Sequence, residues 1–529
     1  MGHSISSADH STHGGSQTRF GRRQILALPA LGFSAAIPTL AAAPASAAQL
    51  TWGLHVSLAP TWFDPAEMSG AITSFMLLYA LHDAVMKPMP DQPMAPSLAE
   101  AWSATKDGLA YEFVLRKGTT FHNGDPVTAD DVRFSFERYR GADQARIKER
   151  IAAVEVPDPG RIRFNLKEPW PDFPMFYVGA SGAGWVVPRT YVGKVGEDGF
   201  KKAPVGAGPY KFVSFTPGVE LILEAFEGYW RKTPRVKRLV FRVIPDESTR
   251  FAALKRGEID IAYSIRGELA GEIQHTRGLT LKATVPPAPY HLYFPEQWDP
   301  KSLWYDQRVR QAASLAIDRA AINQAVTLGY SPITGSVFPN NFEFYWQPPP
   351  PVYDPERAKQ LLADAGYSNG FDAGDYNCDI SYANVGEAVL SDLGAVGIRA
   401  KLRPLERAAF YKSFSERRLR NIIQAGFSSI GNVATRLEAF VVKGGAYVYG
   451  SYPEIDALYE QQAVELDRTR RQAILTKAQQ LVLEKAIFAP ICQVAFLNGV
   501  GPRVGESGFG LIEAFPYTAP YEDLTLQGA

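Results

Sequence analysis

The stretch with the most concentrated binding chemistry runs from Gln424 to Arg436 and reads Gln-Ala-Gly-Phe-Ser-Ser-Ile-Gly-Asn-Val-Ala-Thr-Arg. It contains an aromatic ring, three small polar groups and a guanidinium: Phe427, Ser428, Ser429, Asn432 and Arg436. No Asp or Glu occurs between Glu416 and Glu438, whereas arginines stand at 417, 418, 420 and 436. An arginine can hold a carboxylate through two parallel N–H groups. Arg436 is therefore a candidate carboxylate-binding residue, and a solvated basic face is the alternative for these arginines.

Motifs of covalent catalysis are absent from the sequence. There is no Gly-x-Ser-x-Gly elbow, no His-Glu-x-x-His, no P-loop and no Cys-x-x-Cys. Gly206-Ala207-Gly208 contains Gly-x-Gly, but Pro209 removes an amide, and no third glycine or helix start follows as a dinucleotide site needs. We therefore expect no enzyme, no cofactor and no metal site, with a hydrolase as the remaining enzymatic alternative.

The remaining histidines and cysteines do not form a recognisable metal site. Beyond the first 48 residues the histidines are scattered, and such residues are usually structural hydrogen-bonders. His82, which closes an apolar helix, is retained as a candidate ligand contact. Cys378 and Cys492 are too few for a disulfide framework. Buried thiols are expected at both positions, with pairing in an oxidising compartment as the alternative.

Length and composition indicate a large soluble protein. The 529 residues exceed what one hydrophobic core organises. The apolar fraction of 46% and the charged fraction of 21% are ordinary for globular proteins, and the formal net charge is zero. No basic stripe with interleaved aromatics is present, so we expect no nucleic-acid partner. A monomer is expected.

The first 48 residues have the organisation of an export signal. Arg22-Arg23 precede an apolar run from Ile25 to Ala43, and Ala45-Ser46-Ala47 forms a small-residue cleavage site before Ala48. Prolines interrupt the run, which argues against a membrane span. The arginine pair resembles a twin-arginine signal, and a general secretory signal is the alternative. We therefore predict a periplasmic protein cleaved near Ala47-Ala48.

A strand, a turn and a capped helix follow one another between Tyr111 and Phe136. Residues 111–116 alternate like a half-buried strand, and Asn123-Gly124 is a strong turn signal. Thr128 can cap a helix whose first turn carries Asp130 and Asp131, which favour the positive end of the helix dipole. This order predicts a packed structural unit rather than a ligand site.

The segment Phe121-His122-Asn123-Gly124-Asp125-Pro126-Val127-Thr128-Ala129-Asp130-Asp131-Val132 also resembles a signature of the family 5 extracellular solute-binding proteins. This is the dipeptide, oligopeptide and nickel-binding group that supplies ABC importers. Further stretches are similar to the family in the same order along the chain: 95–102, 204–212, 227–230, 308–319 and 353–358. The resemblance covers almost the whole chain after the leader.

The resemblance implies an α/β fold of the two-lobe periplasmic binding protein type (type II, large peptide-binding class), with an extra subdomain in the first lobe. We expect lobe I at 49–285, lobe II at 286–490 and a return of the chain to lobe I at 491–529. Crossing segments are expected near 284–295 and 488–500. Helices ending in glycine and followed by strands, such as 246–256 before 259–263, agree with this alternating pattern.

The chain departs from the peptide-binding members of the family at its candidate loop. Those members carry a Gly-Trp pair followed by an aspartate that binds the free amine of the ligand. The matching place here is 424–436, so the resemblance implies that Phe427, Ser428, Ser429, Asn432 and Arg436 are candidate ligand-binding residues. Phe427 stands in place of the Trp, and Ile430 is near the position of the aspartate. A buried ammonium without a carboxylate partner costs several kcal/mol. The ligand is therefore not expected to be held by a free amino terminus. Tyr290 and Trp298, near segments that border the family's cleft, are further candidates, with ordinary core packing as the alternative.

The function implied is that of the periplasmic substrate-binding component of an ABC transporter. It would capture a peptide-like or other small organic solute by lobe closure and deliver it to a permease and ATPase complex in the inner membrane. Alternatives are a nickel-chelate or heme-type cargo binder, and a sensory protein that presents its ligand to a membrane receptor.

Overall fold

A computed structural model describes residues 48–67, 75–141, 144–175, 177, 182–426, 431–512, 515 and 517–527. All of these residues belong to one compact unit. The leader predicted at residues 1–48 lies outside them, apart from its last residue. Two sheets, of seven and five strands, organise the described part of the chain.

The seven-stranded sheet is assembled from distant parts of the chain. In spatial order its strands are β10 (Tyr210–Thr216), β11 (Glu220–Ala225), β12 (Arg238–Val243), β1 (Gln49–Leu54), β13 (Ile261–Ala262), β20 (Phe496–Val500) and β14 (Thr280–Thr284). Strand β1 runs parallel to β12 and to β13, so the carboxyl ends of these three strands lie at one edge. Leu50, Trp52 and Leu54 pack with the wholly buried helix α1 (Phe75–Leu81) in one core. This sheet and the elements packed on it form the first lobe.

The five-stranded sheet forms the centre of the second lobe. Its spatial order is β17 (Ile398–Leu405), β16 (Phe371–Asp379), β18 (Ile422–Gly426), β15 (Pro289–Tyr293) and β19 (Phe488–Gln493). Strand β16 runs parallel to β17 and β18, so their carboxyl ends also share one edge. Every residue of β15, an inner strand, and of β19, at one edge of the sheet, is buried, so other elements cover both strands.

A four-stranded antiparallel sheet makes the extra subdomain of the first lobe, with a hydrophobic core of its own. Its order is β5 (Ala99–Ala104), β6 (Ala110–Leu115), β8 (Arg161–Leu166) and β7 (Ile151–Asp158). Two further strand pairs lie beside it: β2 (Asp83–Ala84) with β9 (Trp185–Val186), and β3 (Met86–Met89) with β4 (Gln92–Pro96). The strand predicted at 111–116 is thereby confirmed as β6.

Helices cover the sheets of both lobes. In the first lobe they are α2 (Ala129–Arg138), α3 (Gln144–Arg150), α4 (Arg189–Lys202), α5 (Glu247–Lys255) and α6 (Gly267–His275). In the second they are α7 (Gln307–Leu315), α8 (Arg319–Thr327), α9 (Pro355–Asp364), α10 (Ala383–Ala395), α11 (Arg407–Ser415), α12 (Val433–Phe440), α13 (Pro453–Ala463) and α14 (Arg468–Glu484). Short 3₁₀ turns occupy Pro60–Phe63, Pro65–Glu67, Leu303–Tyr305, Ile380–Tyr382 and Tyr521–Asp523.

Local capping signals fix several helix ends. The Asp131 carboxylate accepts the backbone N–H of Thr128 at 3.0 Å, and Asp354 accepts that of Arg357 at 2.8 Å. Helix α9 begins with Pro355, and Gly366 beyond its end has φ of +94°. These groups satisfy the orphan donors and acceptors of a helix terminus, and the predicted helix start at Thr128 is confirmed.

The Gly206-Ala207-Gly208 segment packs directly against the end of α1. A Cβ added at Gly206 would lie 1.9 Å from the Leu81 carbonyl oxygen, so only glycine allows this approach. The Gly206 N–H donates to His122 Nδ1 at 3.2 Å, and His122 Nε2 donates to the Gly208 carbonyl at 2.9 Å. The glycine motif and the 121–132 motif therefore brace each other, and both are structural.

Candidate functional site

The chain passes between the two large sheets twice within its described part. The first passage joins β14 to β15 through residues 285–288, and the second joins β19 to β20 through residues 494–495. Strand β15 pairs with β19, and β14 pairs with β20, so the two passages lie side by side. Two short adjacent connections between two lobes have the arrangement of a hinge.

Side chains that follow the parallel strands of both sheets meet between the lobes. In open α/β sheets, ligands bind beyond the carboxyl ends of the strands. From the first lobe, His55 follows β1 and Arg266 follows β13. From the second lobe, Asp379 ends β16 and Arg407 follows β17. The group, here called the tyrosine–arginine cluster, comprises His55, Arg266, Tyr290, Asp379, Tyr382, Arg407, Tyr411 and Tyr517.

Tyr290 is placed by the first residues of β15 after the hinge. Its ring lies 4.8 Å from that of Tyr382, centroid to centroid. The Tyr290 ring also packs directly on the backbone of Gly426. A Cβ added at Gly426 would lie only 2.1 Å from this ring. Gly426 is the last residue of β18, so the tyrosine pair lies at the end of that strand.

Arg407 is presented at the first position of α11. Its Nη1 donates to Asp379 Oδ2 at 2.9 Å, and its guanidinium carbon lies 5.2 Å from the centre of the Tyr411 ring. The Arg407 side chain remains 50% exposed, whereas that of Asp379 is buried. Part of the Arg407 side chain therefore remains accessible to a ligand beside its ion pair.

Arg266 reaches from the first lobe to the second. Its Nη1 donates to the Ser381 carbonyl at 2.5 Å, and its guanidinium carbon lies 5.9 Å from the centre of the Tyr382 ring. No carboxylate of the described residues lies within ion-pair distance of the Arg266 guanidinium. A small cavity of about 20 Å³ borders both Arg266 and Tyr382.

His55 and Tyr517 complete the cluster on the side of the first lobe. Their rings lie 5.1 Å apart. Burial, followed by the positive charges of Arg250, Arg266 and Arg407, lowers the pKa of His55 to about 3. Burial also raises the pKa of Tyr517, on which Tyr382 and Arg407 of the second lobe act electrostatically. The neutral imidazole therefore lies in a region of positive potential to which both lobes contribute.

A second interlobe contact lies at Asn432. Its Nδ2 donates to Oδ1 of Asp172 at 2.6 Å, while its Oδ1 caps α12 by accepting the Thr435 N–H at 3.1 Å. Asp172 also pairs with Arg471 of α14. All three side chains are buried. Asn432 is predicted to contact ligand. In this structure, the oxygen and the nitrogen of its side-chain amide both form hydrogen bonds with protein groups.

The other candidates from the sequence have different surroundings. Arg436 is buried, its Nε donates to the Val337 carbonyl at 3.0 Å, and its guanidinium carbon lies 4.2 Å from the Phe440 ring centre. Burial lowers the pKa of Arg436 to about 9. Trp298 packs on Gly450 and lies 4.7 Å from the Tyr452 ring. A role for either residue in binding stays a prediction.

His82 lies in the core of the first lobe. Its Nε2 is 2.9 Å from the Phe63 carbonyl oxygen, and burial lowers its pKa to about 4. Its charged neighbours are Asp64, Arg138 and Asp83, none of which belongs to the cluster. Phe427, Ser428 and Ser429 lie outside the described residues. Of the candidates that the structure describes, only Tyr290 therefore lies in the cluster.

Groups that could hold a metal or span a membrane were also sought in the described ranges. There, no set of three or more His, Cys, Asp or Glu residues is arranged to ligate a metal ion. No helix of the same residues is long and apolar enough to cross a membrane. Cys378 and Cys492 are buried free thiols, as predicted.

Comparison with known protein families gives one match over most of the chain. A family model described as "Bacterial extracellular solute-binding proteins, family 5 Middle" matches residues 93–448. This range includes the 121–132 motif, the glycine segment and most of the second lobe.

Individual relatives extend the match. The chain is 28% identical over 461 residues to heme-binding protein A of Haemophilus influenzae, covering 78% of this chain and 82% of the relative. It is 28% identical over 410 residues to di/tripeptide-binding protein 2 of Pseudomonas aeruginosa, covering 71% and 76%. The crystal structure of NikA from Brucella suis in complex with Fe(III)-EDTA superposes with a TM-score of 0.79 at 23% identity, covering 90% of this chain and 100% of that one. The last comparison concerns the fold alone.

Proposed function

The chain belongs to family 5 of the bacterial extracellular solute-binding proteins, and we propose that it captures a peptide-like or other small organic solute for an ABC importer by closing its lobes. The observation that carries this proposal is the tyrosine–arginine cluster, to which both lobes contribute beside a two-strand hinge. A solute bound there contacts both lobes only in the closed state. Binding therefore shifts the protein toward closure without any covalent step.

The lobe boundaries follow from the two passages between the sheets. The first passage agrees with the limit between lobe I (49–285) and lobe II (from 286). The return to lobe I, predicted at 491, falls inside β19, which pairs with β15 in the second sheet, so the proposed return lies after residue 493 instead. A hinge this short allows rigid lobes to rotate, which is how many two-domain binding proteins close on a ligand.

The setting proposed for this capture is the periplasm. Residues 1–48 would direct export through the twin-arginine route and be removed near Ala47-Ala48, leaving a monomer. The closed protein would then deliver its solute to a permease and ATPase complex in the inner membrane. A sensory protein that presents its ligand to a receptor would need the same closure, and only the membrane partner would differ.

The solute is proposed to lack a free-amine anchor. Asp379 is the one carboxylate in the cluster, and it already accepts from Arg407 and from the Ser381 N–H. Three arginine charges act on the neighbouring His55. An ammonium ion would be repelled from this region, because like charges are poorly screened where water is excluded.

Heme-type cargo is a second candidate. It is favoured by the similarity to heme-binding protein A over most of both chains. The described residues supply no metal ligand set, so a metal would enter with ligands of its own. A nickel chelate fits the same description. No turnover of any of these solutes is proposed.

Mass spectrometry of the protein purified under native conditions tests the proposed function. We expect a bound small molecule that is released unchanged on denaturation, and adding it back to stripped protein should reduce the radius of gyration in small-angle scattering. A protein that carries no solute, and whose scattering stays the same with peptides, heme and metal chelates, would contradict it.

A further inference from the structure

We propose that Arg266 and Arg407, one from each lobe, form an anion-binding pair that makes a carboxylate group the recognised part of the solute. This inference rests on the proposed function and specifies the chemistry of its ligand. The two guanidinium groups follow parallel strands of opposite sheets, at the edges where a ligand between such sheets is expected.

The charges around the pair do not balance within the described residues. Arg407 is matched by Asp379, with 2.9 Å between Nη1 and Oδ2. Arg266 has only carbonyl and hydroxyl partners on its guanidinium, Ser381 O at 2.5 Å and Ser264 Oγ at 3.3 Å. One positive charge is thus left over in the cluster. A single carboxylate would neutralise it.

The surroundings of His55 indicate that the electrostatic potential in the cluster is positive. Its Nδ1 is buried and has no hydrogen-bond partner among the described residues. The charged groups that act on it are Arg250, Arg266 and Arg407, and all three oppose its protonation. Arg250 is held behind the cluster by the carbonyls of Tyr263, Ser264 and Ile244, each at 2.6 Å, so its role there is structural. Arg266 and Arg407 are the two guanidinium groups left to meet a ligand.

The tyrosines define what surrounds the anion. Tyr290, Tyr382 and Tyr411 belong to the second lobe, and Tyr517 belongs to the first. Tyrosine rings provide apolar faces, and their hydroxyl groups donate to carboxylate oxygens. A guanidinium binds a carboxylate with two parallel N–H groups. Such a site selects a carboxylate attached to an apolar or planar group.

Matched pairs of compounds test the inference. The probes are N-acetyl-tri-alanine and its carboxamide, glutarate and glutaramide, and heme and its dimethyl ester. We expect calorimetry to show at least one acid binding about tenfold or more tightly than its neutral counterpart, because a hydrogen bond to a charged group contributes roughly 1.5–3 kcal/mol. Acids that bind no better than their neutral counterparts, including no binding by either, would overturn the proposal.

Arginine variants locate the effect. R266Q and R407Q should each weaken binding of the acid about tenfold or more and leave the neutral compound unaffected. R407K keeps the positive charge but loses the two parallel N–H donors, so its affinity for the acid should be intermediate. This variant also shows whether a loss of binding in R407Q comes from a folding defect. R403Q is the matched control, because Arg403 lies on β17 and pairs with Asp375 at the surface. Wild-type affinity for the acid in R266Q and R407Q would overturn the assignment.

The same samples separate this inference from the proposed function. If a neutral compound binds as tightly as its acid and reduces the radius of gyration, lobe capture stands and the carboxylate preference falls. If no compound of either kind changes the scattering or the heat of mixing, both fall together.

Discussion

Asn432 Nδ2 lies 2.6 Å from Asp172 Oδ1, and this hydrogen bond joins the second lobe to the first across 260 residues of sequence. The other oxygen of Asp172 pairs with Arg471, whose guanidinium also donates to Gln462 at 2.9 and 3.0 Å. Asp172 lies between Trp170 and Phe173, which are buried in the core of the subdomain. The carboxylate is thus fixed in one lobe and bonded to the other.

Removing the charge of Asp172 is expected to favour the open state. In D172N, closure would bury Arg471 without an anionic partner, and breaking a buried pair in this way costs about 3–5 kcal/mol. We expect the solute to dissociate at least about tenfold faster, as measured by stopped-flow fluorescence. D375N is the control, because Asp375 pairs with Arg403 at the surface. Equal dissociation rates in D172N and the wild type would show that the contact does not hold the lobes.

Substitution of Gly206 is expected to destabilise the first lobe. The added methyl group of G206A would lie 1.9 Å from the Leu81 carbonyl, so backbone must shift. Overpacking of this kind costs about 1–3 kcal/mol. Urea denaturation should show this loss for G206A, whereas G193A, in α4 with open space around the new methyl group, should be neutral or slightly more stable. Equal midpoints for G206A and the wild type would contradict the packing described.

Four buried histidines are expected to make the fold sensitive to acid. Burial lowers the pKa values of His55, His122 and His291 to about 3 and that of His82 to about 4, against 6.5 in the unfolded chain. Below pH 6.5 these histidines bind protons in the unfolded chain but stay neutral in the folded chain. Stability is therefore complete above pH 6.5 and falls as the pH drops toward 4.

The variant H122Q should lose part of this pH dependence. Each buried histidine contributes about 1.4 kcal/mol per pH unit between pH 6 and 4. Urea denaturation between pH 7 and 5 should therefore give a shallower slope for H122Q than for the wild type. H275Q, at the exposed end of α6, should keep the wild-type slope. Identical slopes in H122Q and the wild type would show that His122 is protonated in the folded protein.

Most elements of the fold can be predicted from short-range signals. Asp246 and Asp354 each cap a helix, because their side chains accept a backbone N–H of its first turn. Gly257 and Gly366 follow the ends of the same two helices and adopt positive φ. These signals act within about four residues, so a sequence reading detects them. The extended stretch from 487 to 500 was predicted as chain returning between lobes, and it consists of β19 and β20 in different sheets.

The site was harder to predict because its partners are far apart in the sequence. Arg266 and Ser381 are 115 residues apart, and Asp172 and Arg471 are 299 apart. Matching residues 424–436 to the family's binding segment indicates Asn432 and Arg436, whose side chains form hydrogen bonds with protein groups in the structure. The signal that was overlooked is position: His55, Arg266, Asp379 and Arg407 all end or closely follow parallel strands.

Free amines are expected to give no advantage in binding. The arginine charges near His55 oppose an ammonium ion, and residues 417–437 contain no Asp or Glu. Calorimetry with tri-alanine and N-acetyl-tri-alanine should therefore show equal affinity or a preference for the acetylated peptide. A clear preference for the free amine would mean that a carboxylate outside the cluster anchors it.

The distance between the lobes tests the central claim most directly. Cysteines introduced at Asp198 in the first lobe and Glu356 in the second can carry spin labels, because both side chains are well exposed. Burial raises the pKa values of Cys378 and Cys492 to about 12, which protects them from labelling. Double electron–electron resonance should show a broad distance distribution in stripped protein and a single narrower, shifted one when the co-purified solute is added back. The same distribution with and without solute would contradict capture by lobe closure.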